Sequence, residues 1–240
     1  MLGTRLSERL LDLLLENEVL EDFLSQLATL AADVAAEETG RPVLCSVRLV
    51  RSRQPLVLAG SSPEAVLFDS LQDKVAEGPG LHAQRAGVVL VPDTSTDTRW
   101  SRFQRAAARR GSRSVLAVAL LADRDTTAIL TFCSTGSGAF DDGSVAACEA
   151  FARRAARVMR LGLRLDSIKG LNRDLLQAMR SRTTINLATG ILMAQSRCSQ
   201  TEAFEMLAHV SNTRNIKLRV IAEEILQRFD GGPAGTALSA

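Results

Sequence analysis

The stretch that decides the fold is C-terminal: residues 181–229 read SRTTINLATGILMAQSRCSQTEAFEMLAHVSNTRNIKLRVIAEEILQRF. Apolar residues recur there at three- and four-residue spacing in three blocks, which predicts three short amphipathic helices. The second block opens at Ser199, and Glu202 follows three residues later, which is the pattern of a helix-capping box. The third block opens near Asn215 and ends before two glycines, which favour helix ends. The stretch is therefore predicted to form a small helical bundle.

An ordered set of residues in this stretch is similar to the ANTAR domain of bacterial antitermination regulators. The set extends over all three predicted helices. It consists of Arg182, Ile185, Ala188, Gly190, Ile191, Leu192, Met193, Ala203, Phe204, Leu207, Lys217, Leu218, Ile221 and Ala222. One position departs from the family, because Thr189 stands where a basic residue is common. The resemblance implies RNA binding, since family members bind paired RNA hairpins as dimers and prevent a transcription terminator from forming.

The basic residues of this stretch lie outside its apolar stripe and are candidate phosphate contacts. Such contacts supply most of the affinity for a nucleic acid and make it depend on salt. Two small residues of the first helix would also let a base or the RNA backbone approach closely. The candidate RNA-binding residues are Arg182, Ala188, Gly190, Arg197, Arg214, Lys217 and Arg219. Composition alone would favour a solvated charged face, because four glutamates are interleaved with these residues, and the family resemblance reverses that preference.

Upstream of the bundle, the sequence predicts a mixed domain and then a long helix. A wide apolar stripe predicts one N-terminal helix over residues 4–38. Alternating or apolar runs predict strands over 43–51, 56–59, 87–91, 114–122 and 126–134. Further helices are predicted over 63–76 and 98–110, and from 141 to about 195. The Glu-Gly-Pro-Gly sequence at residues 77–80 is predicted to be a turn.

Several motifs of this mixed region are similar to those of GAF domains, and the similarity covers residues 20–160 or so. The motifs are Glu77-Gly78-Pro79-Gly80, Val91-Pro92-Asp93, Arg99-Trp100 with Phe103, Gly111-Ser112-Arg113-Ser114 and Ala139-Phe140-Asp141. The resemblance implies a sensor domain. The predicted fold class is therefore α+β: a GAF-like antiparallel sheet flanked by helices, a long coiled-coil helix, and a C-terminal three-helix ANTAR-like bundle. The predicted boundaries are 1–160 for the sensor with its N-terminal helix, 161–180 for the linker helix, 181–230 for the RNA-binding domain and 231–240 for a disordered tail.

The sensor region offers candidates for a small apolar pocket. They are Phe68, Trp100, Phe103 and Phe132, although filling the domain core is the commoner role of such residues. Covalent bilin is not expected, because relatives that carry it have a cysteine followed by histidine, and here each cysteine precedes serine or glutamate. The Asn-Lys-Phe motif of cyclic-nucleotide relatives is also missing. The cofactor is therefore unknown, and a small-molecule GAF ligand stays open.

The long helix carries a seven-residue repeat that predicts a coiled coil. Its a positions hold Phe151, Val158, Leu165, Asn172 and Met179, and its d positions include Leu161, Ile168 and Leu175. An asparagine at an a position favours a parallel dimer in one register at some cost in stability. The predicted dimer seam is Val158, Leu161, Leu165, Ile168, Asn172, Leu175 and Met179. A single amphipathic helix packed on its own domain is the alternative.

The net charge of +2 conceals an uneven distribution. Residues 1–40 have nine acidic and two basic side chains, a net of −7, whereas residues 151–182 have nine basic and two acidic ones, a net of +7. The basic segment predicts an anionic partner, either nucleic acid or the acidic N-terminal helix of the same protein, which would then mask it. No apolar run reaches the ~18 residues of a membrane span, and no signal peptide is recognisable, so a cytoplasmic location is expected.

No residue constellation of an enzyme is recognisable. A catalytic triad would have to use one of the two histidines, His82 or His209, and the four scattered cysteines predict neither disulfides nor a metal site. The prediction is a signal-responsive antiterminator that is not an enzyme and that binds RNA hairpins as a homodimer, without a membrane. Three alternatives stay open. They are a sensor whose helical output docks a protein partner, DNA binding by residues 199–229, and a sensor-pocket activity around His82.

Overall fold

The structure is a computed structural model that describes residues 2–122 and 125–230. The chain forms two compact units, Met1–Asp166 and Ser167–Ala240. The predicted tail over 231–240 and the connection at 123–124 lie outside the described residues. None of the described helices is both long enough and apolar enough to cross a membrane.

The first unit combines a five-stranded sheet with helices, as predicted. Its strands are β1 (Leu44–Arg51), β2 (Val57–Gly60), β3 (Val88–Val91), β4 (Ser114–Ala122) and β5 (Thr126–Ser134). The helices of the described residues are α1 (Leu2–Glu16), α2 (Leu20–Thr39), α3 (Pro63–Val75), α4 (Pro79–Ala86), α5 (Ser101–Ala108), α6 (Asp142–Ser196), α7 (Gln200–Arg214) and α8 (Leu218–Asp230). The predicted α+β fold class, with its long helix and C-terminal helices, is confirmed.

The sheet has the order β2-β1-β5-β4-β3, and every neighbouring pair is antiparallel. The β4–β5 pair follows the predicted strands residue for residue, with one register shift between Ala119 and Leu121. Side chains alternate between the two faces of a strand, so each strand of this sheet contributes to two different cores.

One face of the sheet packs against α2 and the first part of α6. Phe23, Leu24 and Leu27 of α2 are at most 1% exposed, and they share a core with Val47 of β1 and Phe132 of β5. Burial of such side chains stabilises a fold by about 1.5–3 kcal/mol each. Helix α2 is therefore part of the sensor core.

The opposite face of the sheet is covered by α3, α4 and α5. Phe68 of α3 and Phe103 of α5 are buried there with Val115 and Cys133, and Ala83 of α4 packs with a separate small cluster. The sequence predicts only a turn at residues 77–80, whereas the structure has helix α4 starting there. Proline is in fact well suited to the first turn of a helix, where its missing N–H would have no partner.

The single N-terminal helix predicted over 4–38 is wrong in one respect, because the chain breaks between α1 and α2. The Asn17 side chain donates to the carbonyl oxygen of Leu13 at 2.7 Å and accepts from Gln26 at 2.9 Å, while Val19 has an extended backbone. The apolar stripe continues through the break, so the spacing of apolar residues does not predict that the helix ends there. Leu14 of α1 lies beside Gly162 of α6 in the same unit, where an added Cβ would come within 3.0 Å of the leucine.

Candidate nucleic-acid interface

The second unit is built around a small apolar core shared by three helices. Ala188 of α6, Leu207 of α7, and Ile221 and Ala222 of α8 are at most 3% exposed and pack together. Half-buried Ile185, Leu192 and Ile225 surround them. The spacing of the apolar residues predicts the inward positions of Ala188, Leu207, Ile221 and Ala222 correctly, whereas Phe204 and Phe229 of the same predicted stripes are 45% and 60% exposed.

Helix α7 starts with the predicted capping box. The Ser199 hydroxyl accepts from the Glu202 N–H at 3.3 Å, and the Glu202 carboxylate accepts from the Ser199 N–H at 2.8 Å. Together they satisfy two N–H groups that have no partner inside the helix. Hydrogen bonds from the Ser199 backbone and hydroxyl hold the pKa of Glu202 below its ordinary value.

The turn between α7 and α8 is fixed by side chains on both sides. Asn215 adopts a left-handed backbone conformation at the end of α7, and the Ser211 hydroxyl donates to the carbonyl oxygen of Ile216 at 2.6 Å. Arg214 donates two hydrogen bonds to the Glu224 carboxylate, at 2.7 and 3.1 Å. These bonds from Arg214 lower the pKa of Glu224 and keep the pair ionised.

The structure places the predicted RNA-binding residues in different environments. Arg182, Arg197 and Lys217 are exposed and Arg219 is half-buried. Gly190 is also exposed, and an added Cβ there would meet nothing within 4 Å. The guanidinium of Arg214 instead bonds Glu224.

Ala188 does not lie at the surface, in contrast to its predicted role. It is 0% exposed because it sits at the centre of the three-helix core, so its small side chain permits close helix packing rather than RNA approach. Thr189, the departure from the family pattern, is only 4% exposed, and its hydroxyl donates to the carbonyl oxygen of Ile185 at 2.7 Å. A basic side chain at either position would have to leave the core.

An apolar groove between α7 and α8 was not foreseen from the sequence. It has a volume of about 180 Å³ and is lined mainly by apolar side chains, with Arg214, Glu224 and Arg228 among its polar ones. Met206 and Val210 in its wall are 42% and 38% exposed. The sequence does contain a sign of this groove, because Met206 and Val210 are apolar residues four positions apart on α7 that lie off the inward-packing face.

In the first unit, the structure brings together three of the four predicted pocket aromatics. The rings of Phe68 and Phe103 meet edge to face with centroids 5.7 Å apart, and Trp100 packs against the same cluster. The space bounded by Trp100, Phe103, Val91 and Thr94 leaves no room for a water molecule. Phe132 was placed wrongly, because strand alternation turns it to the other face of the sheet, where it packs on Phe140.

A buried charged network beside this cluster was also missed. Arg48 is 2% exposed, donates to the Asp73 carboxylate at 2.7 and 2.9 Å, and pairs with the fully buried Asp69 at 2.9 Å. Gln72 donates to Asp69 at 2.7 Å and accepts from the N–H of Gly80 at 2.7 Å. The network thus ties β1 to α3 and α4, although Arg48 reads in the sequence as the solvent-facing residue of an alternating strand.

The side chains of the predicted seam residues differ in their solvent exposure. Val158 is buried in the core of the first unit, so it is not available to a partner chain. The apolar seam residues after it are exposed by 42–60%: Leu161, Leu165, Ile168, Leu175 and Met179. Asn172 is exposed as well. A series of exposed apolar side chains at heptad spacing, interrupted only at Asn172, fits a coiled coil.

His82 and the four cysteines differ in their exposure. His82 is exposed and its ring centroid lies 5.7 Å from that of Trp100. Cys45, Cys133 and Cys148 are buried as free thiols, and Cys198 is half-buried. Among the described residues, no three His, Cys, Asp or Glu side chains are arranged to hold a metal ion.

Family comparisons agree with this architecture. The GAF domain family model matches residues 21–160, more than half of the chain, and the ANTAR domain model matches residues 173–226. None of the curated proteins matches the sequence.

Solved structures similar to this chain include three proteins of different kinds. A LuxR-family transcription factor from Burkholderia cenocepacia, CepR2, described as dependent on N-acylhomoserine lactone, has 18% identity over 68% of this chain and 99% of its own, with a TM-score of 0.44. The GAF domain of an Acinetobacter phosphoenolpyruvate-protein phosphotransferase has 19% identity over 66% of this chain and 93% of its own, with a TM-score of 0.45. Free methionine-R-sulfoxide reductase from Neisseria meningitidis has 18% identity over 66% of this chain and 89% of its own, with a TM-score of 0.47.

The first unit has a sheet with helices on both faces, and its sequence matches the GAF model. The helices of the second unit match the ANTAR model. This combination is a regulatory architecture, in which a GAF sensor domain precedes an ANTAR RNA-binding antitermination domain. The chain belongs to the GAF-domain family and has the GAF–ANTAR architecture of sensor-regulated antiterminators.

Proposed function

We propose that this protein binds paired hairpins in leader transcripts as a homodimer, and that a signal at its GAF domain controls this binding. Bound hairpins would compete with formation of a terminator, so transcription would continue. The observation that carries the proposal is the ANTAR match over helices whose cationic side chains Arg182, Arg197 and Lys217 are exposed rather than engaged in ion pairs within the described residues. The protein makes and breaks no bond in this scheme, so the prediction that it is not an enzyme stands with the proposal.

The RNA surface is proposed to consist of three exposed cations, the half-buried Arg219 and the exposed Gly190. Arg182, Arg197, Lys217 and Arg219 would contact phosphates, and the open space at Gly190 would admit the RNA backbone. Arg214 has a different role in this proposal, because its two bonds to Glu224 hold α7 against α8. Ala188 is assigned to the core.

Dimerisation is proposed to use the exposed apolar row of α6 that starts at Leu161. Leaving five large apolar side chains 42–60% exposed on one helix is unfavourable for an isolated chain, and a second copy would cover them. The double variant Leu165→Glu/Ile168→Glu is therefore expected to be a folded monomer in sedimentation equilibrium. Leu171→Glu, outside the a and d positions, is the matched control and should remain dimeric. A wild-type monomer at micromolar concentration would contradict the dimer.

In-vitro transcription tests the proposed function itself. A template with a two-hairpin leader and terminator should give more full-length transcript when the wild-type protein is present. The triple variant Arg182→Gln/Lys217→Gln/Arg219→Gln should lose this effect while keeping its helical circular dichroism. Unchanged termination with wild-type protein, both full-length and as residues 150–240, would refute antitermination.

A second candidate function rests on the groove between α7 and α8. Its exposed Met206 and Val210 would suit an apolar helix of a protein partner. The variant Met206→Glu/Val210→Glu separates the two functions, because it should abolish protein docking but leave RNA binding and readthrough intact.

The input signal is proposed to act at the face of the sheet covered by α3, α4 and α5. The aromatic cluster there is closely packed, so a small molecule would have to displace Trp100 or Phe103 to enter. Such a displacement would shift the population of sensor conformations, and a ligand can only shift it by its difference in affinity for them.

A further inference from the structure

A second cationic surface lies on the sensor domain, away from the ANTAR helices in sequence. Residues 79–113 contain seven arginines and two aspartates, a net charge of +5. Both aspartates are already paired: Asp97 accepts from Arg99 at 2.9 Å, and Asp93 accepts from Arg113 at 2.7 Å. The excess positive charge is therefore concentrated on the other arginines of this segment.

Helix α5 and its C-terminal capping residue, Arg109, present three of these arginines on one face. Phe103 and Ala107 are buried and fix which side of the helix turns towards the sheet. Arg102, Arg105 and Arg109 lie at i, i+3 and i+7 on the opposite side and are all exposed, and they extend over about 10 Å at 1.5 Å per residue. Together with exposed Arg110, they form what we call the α5 arginine row. Within the described part of the chain, none of these four guanidinium groups forms an ion pair.

The backbone that carries the row is held in place at its N-terminal end. The Glu77 carboxylate accepts from the N–H groups of Arg102 and Phe103 in the first turn of α5. The Arg99 guanidinium stacks 4.6 Å from the centre of the Trp100 ring just before the helix and donates to the carbonyl oxygen of Leu90 at 2.7 Å. These contacts fix the first turn of α5, and with it the spacing of the backbone positions that carry the arginines.

The surroundings of the row select its partner. Among the described residues 79–113, no large apolar side chain is exposed, whereas protein interfaces have an apolar, desolvated centre. A surface of unpaired arginines without such a centre fits a phosphodiester backbone, which guanidinium groups bind through paired hydrogen bonds. We propose that the α5 arginine row is a second RNA-contacting surface, which binds phosphates of the transcript outside the segment held by the ANTAR domain. This inference rests on the proposed RNA-binding function.

The row supplies affinity but not sequence choice. Phosphate contacts are the same for every sequence, and selection in RNA comes from bases that are stacked or read at their edges. Loss of the row should therefore weaken binding to all RNAs alike and reduce its salt dependence.

The test compares full-length wild-type protein with the variant Arg102→Gln/Arg105→Gln/Arg109→Gln. The matched control, Arg5→Gln/Arg9→Gln/Lys74→Gln, removes the same charge from exposed positions elsewhere in the first unit. Binding to a two-hairpin leader RNA with long single-stranded flanks is measured by fluorescence anisotropy at several salt concentrations. The row variant should lower the slope of log Kd against log salt by about 1 for each lost contact, and so by 2–3 in all. The control should keep the wild-type slope.

The outcomes distinguish this inference from the function on which it rests. If wild-type protein does not bind the RNA, the proposed function itself fails. If wild-type and row variant bind with the same slope, RNA binding stands and the α5 surface is refuted. A row variant that changes the oligomeric state of the free protein, with an unchanged salt slope, would assign the row to an acidic protein surface and overturn the proposal.

Discussion

Replacement of Arg48 by methionine tests the account of the sensor core most sharply. Arg48 is 2% exposed and makes charged contacts with both Asp69 and Asp73. Methionine keeps most of the side-chain volume but removes the charge and all its hydrogen bonds. Asp69, which is 0% exposed, would keep the hydrogen bond from Gln72 but would lose its ionic partner. Asp73 would lose less, because its side chain is 40% exposed and water can solvate it.

The expected cost follows from leaving a buried carboxylate without its cation. Breaking a buried ion pair by removing one partner typically costs about 3–5 kcal/mol. In a unit of this size, each kcal/mol lowers the melting temperature by about 2–4 °C, so Arg48→Met should melt roughly 10 °C below wild type. The double variant Arg48→Met/Asp69→Leu should recover most of this loss, because apolar residues of similar volume can replace a buried pair. The single variant Asp73→Asn serves as a control and should cost about 1 kcal/mol or less.

The pH dependence gives an independent check. Burial raises the pKa of Asp69, and the nearby Arg48 guanidinium opposes that rise. Without Arg48 the pKa of Asp69 should rise further. A carboxyl group whose pKa is raised on folding contributes stability at low pH, and this contribution is lost as the pH increases. The stability gap between Arg48→Met and wild type should therefore narrow as the pH falls from 7 towards 4 in urea unfolding monitored by circular dichroism. A gap below about 1 kcal/mol, or one independent of pH, would refute the role assigned to this pair.

Three further predictions concern other parts of the chain. Burial raises the pKa of the Cys133 and Cys148 thiols to about 12, so iodoacetamide at pH 8 should alkylate native protein at half-buried Cys198 before any other cysteine. Mass spectrometry that finds two or more cysteines modified at similar rates would contradict this. Ser199→Ala should destabilise the ANTAR helices by about 1 kcal/mol at pH 7, and less below about pH 4, because the cap lowers the pKa of its Glu202 partner and that contribution is lost on protonation. An equal loss at pH 7 and pH 3.5 in chemical denaturation would rule out the capping box. If the acidic N-terminal segment masks cationic surface, neutralising Asp12, Glu16 and Asp33 around a 320 Å³ groove between α1 and α2 should tighten RNA binding in the same anisotropy assay. Unchanged affinity would exclude masking.

Features set by local interactions were predictable from the sequence. The capping box at Ser199 depends on residues three positions apart, and the β4–β5 pair depends on adjacent runs of β-forming residues. The inward faces of α7 and α8 follow from helical spacing alone, which placed Leu207 and Ile221 correctly. The GAF and ANTAR resemblances rested on motifs of the same short range, and the family comparisons confirm both.

Features set by distant contacts were not predictable in the same way. Arg48 alternates with apolar residues in β1, and only the docking of α3 makes its position buried. The pairing of β5 with β1 and β4 decides which face of the sheet Phe132 lies on. Its aromatic side chain alone therefore does not predict its neighbours. The small side chain of Ala188 predicted a position that RNA could approach, whereas three helices pack around it. The break at Asn17 depends on one side chain, which donates to the backbone carbonyl of Leu13 and accepts from the Gln26 side chain inside an otherwise continuous apolar stripe.

The most direct test of the account is RNA binding by the purified full-length protein. A two-hairpin leader RNA and a DNA duplex of the same stem sequence are titrated at several salt concentrations, and the stoichiometry is determined by sedimentation. We predict that two protomers bind one two-hairpin RNA, with an affinity that falls steeply with salt, a clear preference over the duplex, and loss of binding in Arg182→Gln/Lys217→Gln/Arg219→Gln. Equal affinity for the DNA duplex, or no RNA binding by either the full chain or residues 150–240, would contradict it.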